Sequence, residues 1–211
     1  MFKMLNLILK DFRLQKVIML LYLVVACLFI GTFGSFGLTV VLIACSYMMN
    51  LHYYDDKNNS HKFINSLPYS RNTIIMSKYI GVIIFTLTVV LFSLLIQEII
   101  QFISPIHGGK VASLQEIIIS ILTVMLLTSI YFPFCYRFAN KYLLIAVSAV
   151  SPVLIILWKS IGEYVNIIDA MQKATTQLTV NQMVTLVSIV VIVLFIASYF
   201  LTVKIYKRTD F

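Results

Sequence analysis

His52, Asp55, Asp56 and His61 lie within ten residues of one another. Imidazoles and carboxylates this close can ligate a divalent metal. The spacing fits no ligand set, because Asp55 and Asp56 are adjacent and point apart on a helix. The cluster is read as a solvated loop start, with no metal site. Cys27, Cys45 and Cys135 all fall inside apolar runs and read as small buried residues, not as a disulfide framework or metal ligands. There is no Ser/His/Asp order and no pair of intramembrane carboxylates to support hydrolysis. The one Gly-Lys step, Gly109-Lys110, is followed by Val and makes no phosphate loop. The chain is therefore expected to be no enzyme and to hold no cofactor; if ATP drives it, Mg-ATP sits on another chain. LIQEIIQF contributes Gln97, Glu98 and Gln101. A carboxylate at membrane depth is a functional candidate by default. The simpler reading places Glu98 about a turn and a half from its helix end, within reach of the outer interface. Gln97 and Gln101, one turn apart, can hydrogen-bond across a subunit interface. The three residues mark a candidate substrate path or subunit contact.

The elements that must carry these residues are set by composition. The chain has 211 residues, 61% hydrophobic and 11% charged, with a mean hydropathy of +0.98. Soluble domains are near 45–50% apolar and about 25% charged, so lipid must be the solvent here. The apolar runs are continuous over about 20 residues, as helical spans require, whereas barrel strands alternate over about 10. An all-α polytopic membrane protein with six transmembrane helices is expected, in one domain over 1–211. Residues 1–16 form an interfacial helix, with Leu5, Ile8, Leu9 and Phe12 on one face and Lys3, Lys10, Asp11 and Arg13 as the polar remainder. The first two spans cover 17–54. A cytoplasmic loop follows over 55–69, then spans three to five over 70–158. Ser70 caps the third span and Pro68 blocks helix before it. Pro133 is expected to kink the fourth span and Pro152 to bend the fifth. Residues 159–182 form an external segment containing a short helix, and 183–211 the last span and tail.

Thirteen of the sixteen Lys and Arg side chains fall on the side shared by both termini. Only Lys110, Lys159 and Lys173 fall on the other. The positive-inside rule then puts both termini in the cytoplasm. The net charge of +8 faces anionic lipid and is split among separate loops, which argues against nucleic acid as a partner.

The loop after the second span is more than a solvated connection. In YYDDKNNSHKFINSLPYSR, at 53–71, Asn58 or Asn59 can cap a short helix that Pro68 ends. Phe63, Ile64 and Leu67 supply an apolar anchor; Lys57, His61, Lys62 and Arg71 supply a polar rim, as at protein interfaces.

An elbow containing LKDF, the stretch D-D-K-N…F-I-N-S-L-P-x-S-R…S-K-Y at 55–79, and the six-span N-in plan together resemble a bacterial ABC type-2 permease of a small subfamily. The matched positions are Asp55, Asp56, Lys57, Asn58, Phe63, Asn65, Ser66, Leu67, Pro68, Ser70, Arg71, Lys78 and Tyr79. Permeases of this look include the membrane subunits of the phenol-soluble modulin exporters. The resemblance implies that the loop is a coupling helix docking into a separate ABC ATPase subunit. It also implies pairing with a second copy or a related permease chain, a place in the bacterial plasma membrane, and export of an amphipathic or lipid-like substrate such as a cytolytic peptide. Two other classes compete: a stand-alone secondary transporter or channel, for which only Glu98 offers an ion site, and a membrane immunity or sensor protein without an ATPase.

Overall fold

The structure is a computed structural model, and it describes residues 2–33, 35–57, 70–103, 112–137 and 180–208. Six helices account for nearly all of them: α1 (Phe2–Leu14), α2 (Lys16–Phe33), α3 (Phe36–Lys57), α4 (Arg71–Ile103), α5 (Leu114–Arg137) and α6 (Val180–Arg208). There is no strand among the described residues. The stretch 58–69, the expected fifth span near 142–158 and the external segment up to residue 179 lie outside them.

Each helix follows from its sequence. Segments of about 20 apolar residues satisfy every backbone polar group internally, which lipid demands. Ser70 accepts a hydrogen bond on Oγ from Thr73 N at 3.2 Å, and Ser113 accepts one from Glu116 N at 3.2 Å. These serines cap α4 and α5 and take up donors that a helix start leaves unpaired. Pro133 lies inside α5. Among the described residues, four helices are long and apolar enough to cross a membrane: Phe36–Asp55, Arg71–Phe102, Leu114–Arg137 and Val184–Arg208. The pair Met4–Leu14 and Lys16–Gly31 bends by 65° at Gln15, as an elbow entering a span must.

α4 is the hub of the bundle and touches every other described helix. At 33 residues and 1.5 Å of rise per residue it is about 50 Å long, against about 30 Å of hydrocarbon. Its ends therefore project past the apolar slab. The core runs down its inward stripe, Ile75, Tyr79, Val82, Phe85, Val89 and Val90, against Val40, Ala44, Tyr47 and Leu51 of α3. Tyr47 and Phe85 stack at 3.8 Å, with Phe12 and Tyr22 at the edges of the pair. Polar contacts fix the register between helices. Asn50 donates to Tyr22 Oη at 2.7 Å across α3 and α2. Tyr79 Oη is hydrogen-bonded to Ser198 Oγ at 2.8 Å and Thr202 Oγ1 at 2.9 Å on α6, and Ser198 donates to the Ser129 carbonyl of α5 at 2.6 Å.

The elbow divides its expected apolar face, with Ile8 and Phe12 packed on the bundle and Leu5 and Leu9 left outside. Leu7, Ile8, Asp11 and Gln15 are buried, while Leu5 and Leu9 are exposed. The inward stripe follows 7, 11 and 15, one residue around from the purely apolar face. A buried partner for Asp11 makes that rotation favourable.

Candidate functional site

The inward stripes of α1, α3 and α4 each carry one charged residue, and the three converge at one end of the bundle. Asp11 follows Leu7 by four positions. Asp55 follows Tyr47 and Leu51 at the same spacing. Lys78 follows Ile74 and precedes Val82. Residues four apart share a helix face, so each charge is delivered inward by its own helix. Asp11 is 5% exposed, Asp55 2% and Lys78 3%.

They form a square with Lys10. Lys78 Nζ donates to Asp11 Oδ2 at 2.9 Å and also meets Asp55 Oδ2. Lys10 Nζ donates to Asp55 Oδ1 at 3.2 Å and lies 3.5 Å from Asp11 Oδ1. Lys10 is the outer corner, with its side chain 32% exposed. Each carboxylate touches both ammonium groups and the four charges cancel. Burial of ions at this depth is tolerable only with such pairing. The square joins the elbow to the end of α3 and the start of α4, the two helices that flank residues 58–69.

One expectation from the sequence is corrected here. Asp55 is not part of a solvated loop start: α3 stays helical to Lys57, so Asp55 remains in phase with the core stripe. Lys78, like Asp55, is buried in the bundle. The missed signal is helical phase. Asp11, Asp55 and Lys78 each stand where an apolar residue would continue the stripe.

The other candidate residues are dispersed. Arg71, in the first turn of α4, donates from Nη1 to the carbonyls of Lys207 at 2.9 Å and Tyr206 at 3.3 Å, and so caps the end of α6. Lys57 ends α3. His61, Lys62, Phe63, Ile64 and Leu67 lie outside the described residues. Gln97 is buried and accepts a hydrogen bond on Oε1 from Ala112 N at 3.2 Å, which ties the far end of α4 to the entry of α5. Glu98 is exposed and Gln101 half-buried. At that same far end, Glu116 accepts from Gly37 N at 3.3 Å, placing a carboxylate at the start of α3, where the helix dipole favours it. His52 packs edge-on against Tyr136, with ring centroids 5.7 Å apart. Among the described residues no three His, Cys, Asp or Glu side chains converge as metal ligands.

A cavity of about 20 Å³ opens between α4, α5 and α6, lined in part by Val82, Thr86, Val124, Thr128 and Phe195. Thr86 and Thr128 donate to carbonyls of their own helices. The space is apolar and has room for about one water, without the polar partners to hold it.

Long apolar helices packed around a central hub, with the buried charges gathered at one end, define a multi-pass helical membrane protein. A family model described as "ABC-2 family transporter protein" matches residues 6–207, nearly the whole chain. The chain belongs to that family of membrane transport components, which are generally non-catalytic and typically work with ABC ATPase partners. Comparisons with curated proteins and with solved structures give no match.

Proposed function

We propose that this chain is the permease subunit of an ATP-driven exporter in the bacterial plasma membrane, with both termini cytoplasmic. Two permeases, identical or related, face each other above two separate ATPase subunits that hold Mg-ATP. Residues 57–67 are the coupling helix. Phe63, Ile64 and Leu67 seat in an ATPase groove, and Lys57, His61, Lys62 and Arg71 form the rim. The substrate is amphipathic or lipid-like, such as a cytolytic peptide, in keeping with the resemblance to phenol-soluble modulin exporters. It moves along the subunit interface, with Gln97, Glu98 and Gln101 as the candidate residues for that path or contact.

The observation that carries this reading is the charge square. Asp55 lies three residues before the segment 58–69, and Lys78 lies about two turns into the helix that follows it. A push delivered to that segment reaches α3 and α4 together, through the buried Asp55–Lys78 pair, which is too costly to separate. A loop whose only task is to connect two spans needs no such bracing.

The test is Phe63→Ala. Truncating a buried aromatic anchor commonly costs more than about 2 kcal/mol of binding, roughly 30-fold in affinity. The variant should insert normally, lose its ATPase partner in a detergent pull-down and stimulate ATP hydrolysis less. Lys62→Ala should do much less, because exposed ion pairs contribute about 0–1 kcal/mol. Normal binding and stimulation by a correctly inserted Phe63→Ala protein would remove the coupling role.

A further inference from the structure

The four charges divide unevenly among the helices but evenly in sign. Lys10 and Asp11 both belong to α1, and they lie 3.5 Å apart. Asp55 and Lys78 belong to α3 and α4 and meet each other directly. A cut between the elbow and the bundle therefore passes between two neutral pairs. Removing one partner from a buried ion pair is strongly destabilising, because the other charge is left uncompensated. Here separation leaves none in that state. Two lysines on the elbow facing two aspartates on the bundle would give the same contacts when docked, but would leave two bare like charges on each side when apart.

The rest of the contact is built in the same way. Among the described residues, buried Gln15 Oε1, at the root of the elbow, has no hydrogen-bond partner, and neither has the hydroxyl of Tyr47, whose ring lies 5.9 Å from Phe12 of the elbow. Unpartnered buried polar atoms weaken the docked state and are satisfied once water reaches them. The exposed side of α1 carries Leu5, Leu9 and Leu14, so the helix keeps an apolar face for the membrane interface whether or not it is docked.

We infer that α1 is a reversible latch on the base of the bundle, docked through the Lys10–Asp11 and Asp55–Lys78 pairs and able to leave with both pairs intact. This conformational device requires neither an ATPase nor a substrate, and it stands apart from the export reading above.

The test uses the full chain in mild detergent with C27A, C45A and C135A, Leu7→Cys as the elbow reporter and N-ethylmaleimide as the probe. A parallel chain keeps Cys135, buried in α5, as its sole thiol and reports opening of the bundle. With all four charges present, Leu7→Cys should label slowly but measurably, and faster than Cys135. Lys10→Gln with Asp11→Asn removes the elbow pair and leaves the bundle pair whole. It should speed labelling at position 7 by about tenfold or more, the loss of charge-assisted contacts, and leave the Cys135 rate unchanged. If Leu7→Cys loosens the elbow by itself, Ile8→Cys serves as a second reporter. The latch is overturned if the elbow thiol, with all four charges present, stays unlabelled while the denatured chain reacts fully. It is equally overturned if the elbow and Cys135 rates rise together, since that is unfolding of the whole bundle.

Discussion

At the scale of single residues, Lys78 carries the most consequence. Its ammonium is shared between two carboxylates from two helices, at 3% exposure. Lys78→Met leaves Asp11 and Asp55 facing each other with only Lys10 to balance them. Breaking a buried ion pair from one side typically costs about 3–5 kcal/mol. The variant should therefore unfold well below the parent in a detergent melt. Asp11→Asn combined with Lys78→Met should cost clearly less than the two single changes added together, because charges in one network are coupled. Additive losses in that double-mutant cycle would mean that the two groups do not share a site. Tyr79 makes the same point with neutral groups: one hydroxyl serves Ser198 and Thr202, and through Ser198 the α5 backbone.

At the scale of helices, α4 combines a capped start, a charged base and an apolar middle. The cap is Ser70, whose hydroxyl meets Thr73 N and Thr73 Oγ1. Ser70→Ala should lower stability by about 1 kcal/mol. Gly81 provides the contrast. A Cβ there would lie 3.9 Å from Tyr47 Oη, an ordinary contact. Gly81→Ala should therefore be neutral or stabilising by up to about 1 kcal/mol, the difference in helix propensity. Melting both variants beside the parent checks the assignment of start and interior. A destabilising Gly81→Ala would show that α3 and α4 approach more closely than described. Arg71 adds a second tie at this end of α4 by capping α6, so the first turns of α4 brace the last helix through Arg71 and the elbow through Lys78.

For the whole molecule, orientation is the open quantity that charge predicts most directly. Thirteen of the sixteen Lys and Arg fall in segments that a six-span plan puts on one side, and the positive-inside rule then predicts residue 62 in the cytoplasm and residue 173 outside. In a chain lacking its native thiols, Lys173→Cys should react with an impermeant maleimide in intact cells, and Lys62→Cys should react only after permeabilisation. The reverse pattern would invert the topology, and the docking of an ATPase at residues 57–67 would go with it.

The sequence alone determined the solvent, the helical class and most helix bounds. Continuous apolar runs leave lipid no alternative but helices, and breakers such as Pro68 and caps such as Ser70 are read locally. The elbow was legible for the same reason, since charges between Lys10 and Lys16 cannot enter a bilayer. Only the tertiary structure decided where Asp11, Asp55 and Lys78 go. Their inward phase is written in each helix, but a lone charge on an apolar stripe reads as an error or an exposed edge until its partners are known. The partners on other helices are 23 to 67 positions away, beyond any local pattern. The bundle brings them together because a buried charge is tolerable only beside its opposite, so the square exists as a property of three packed helices and of none of them singly.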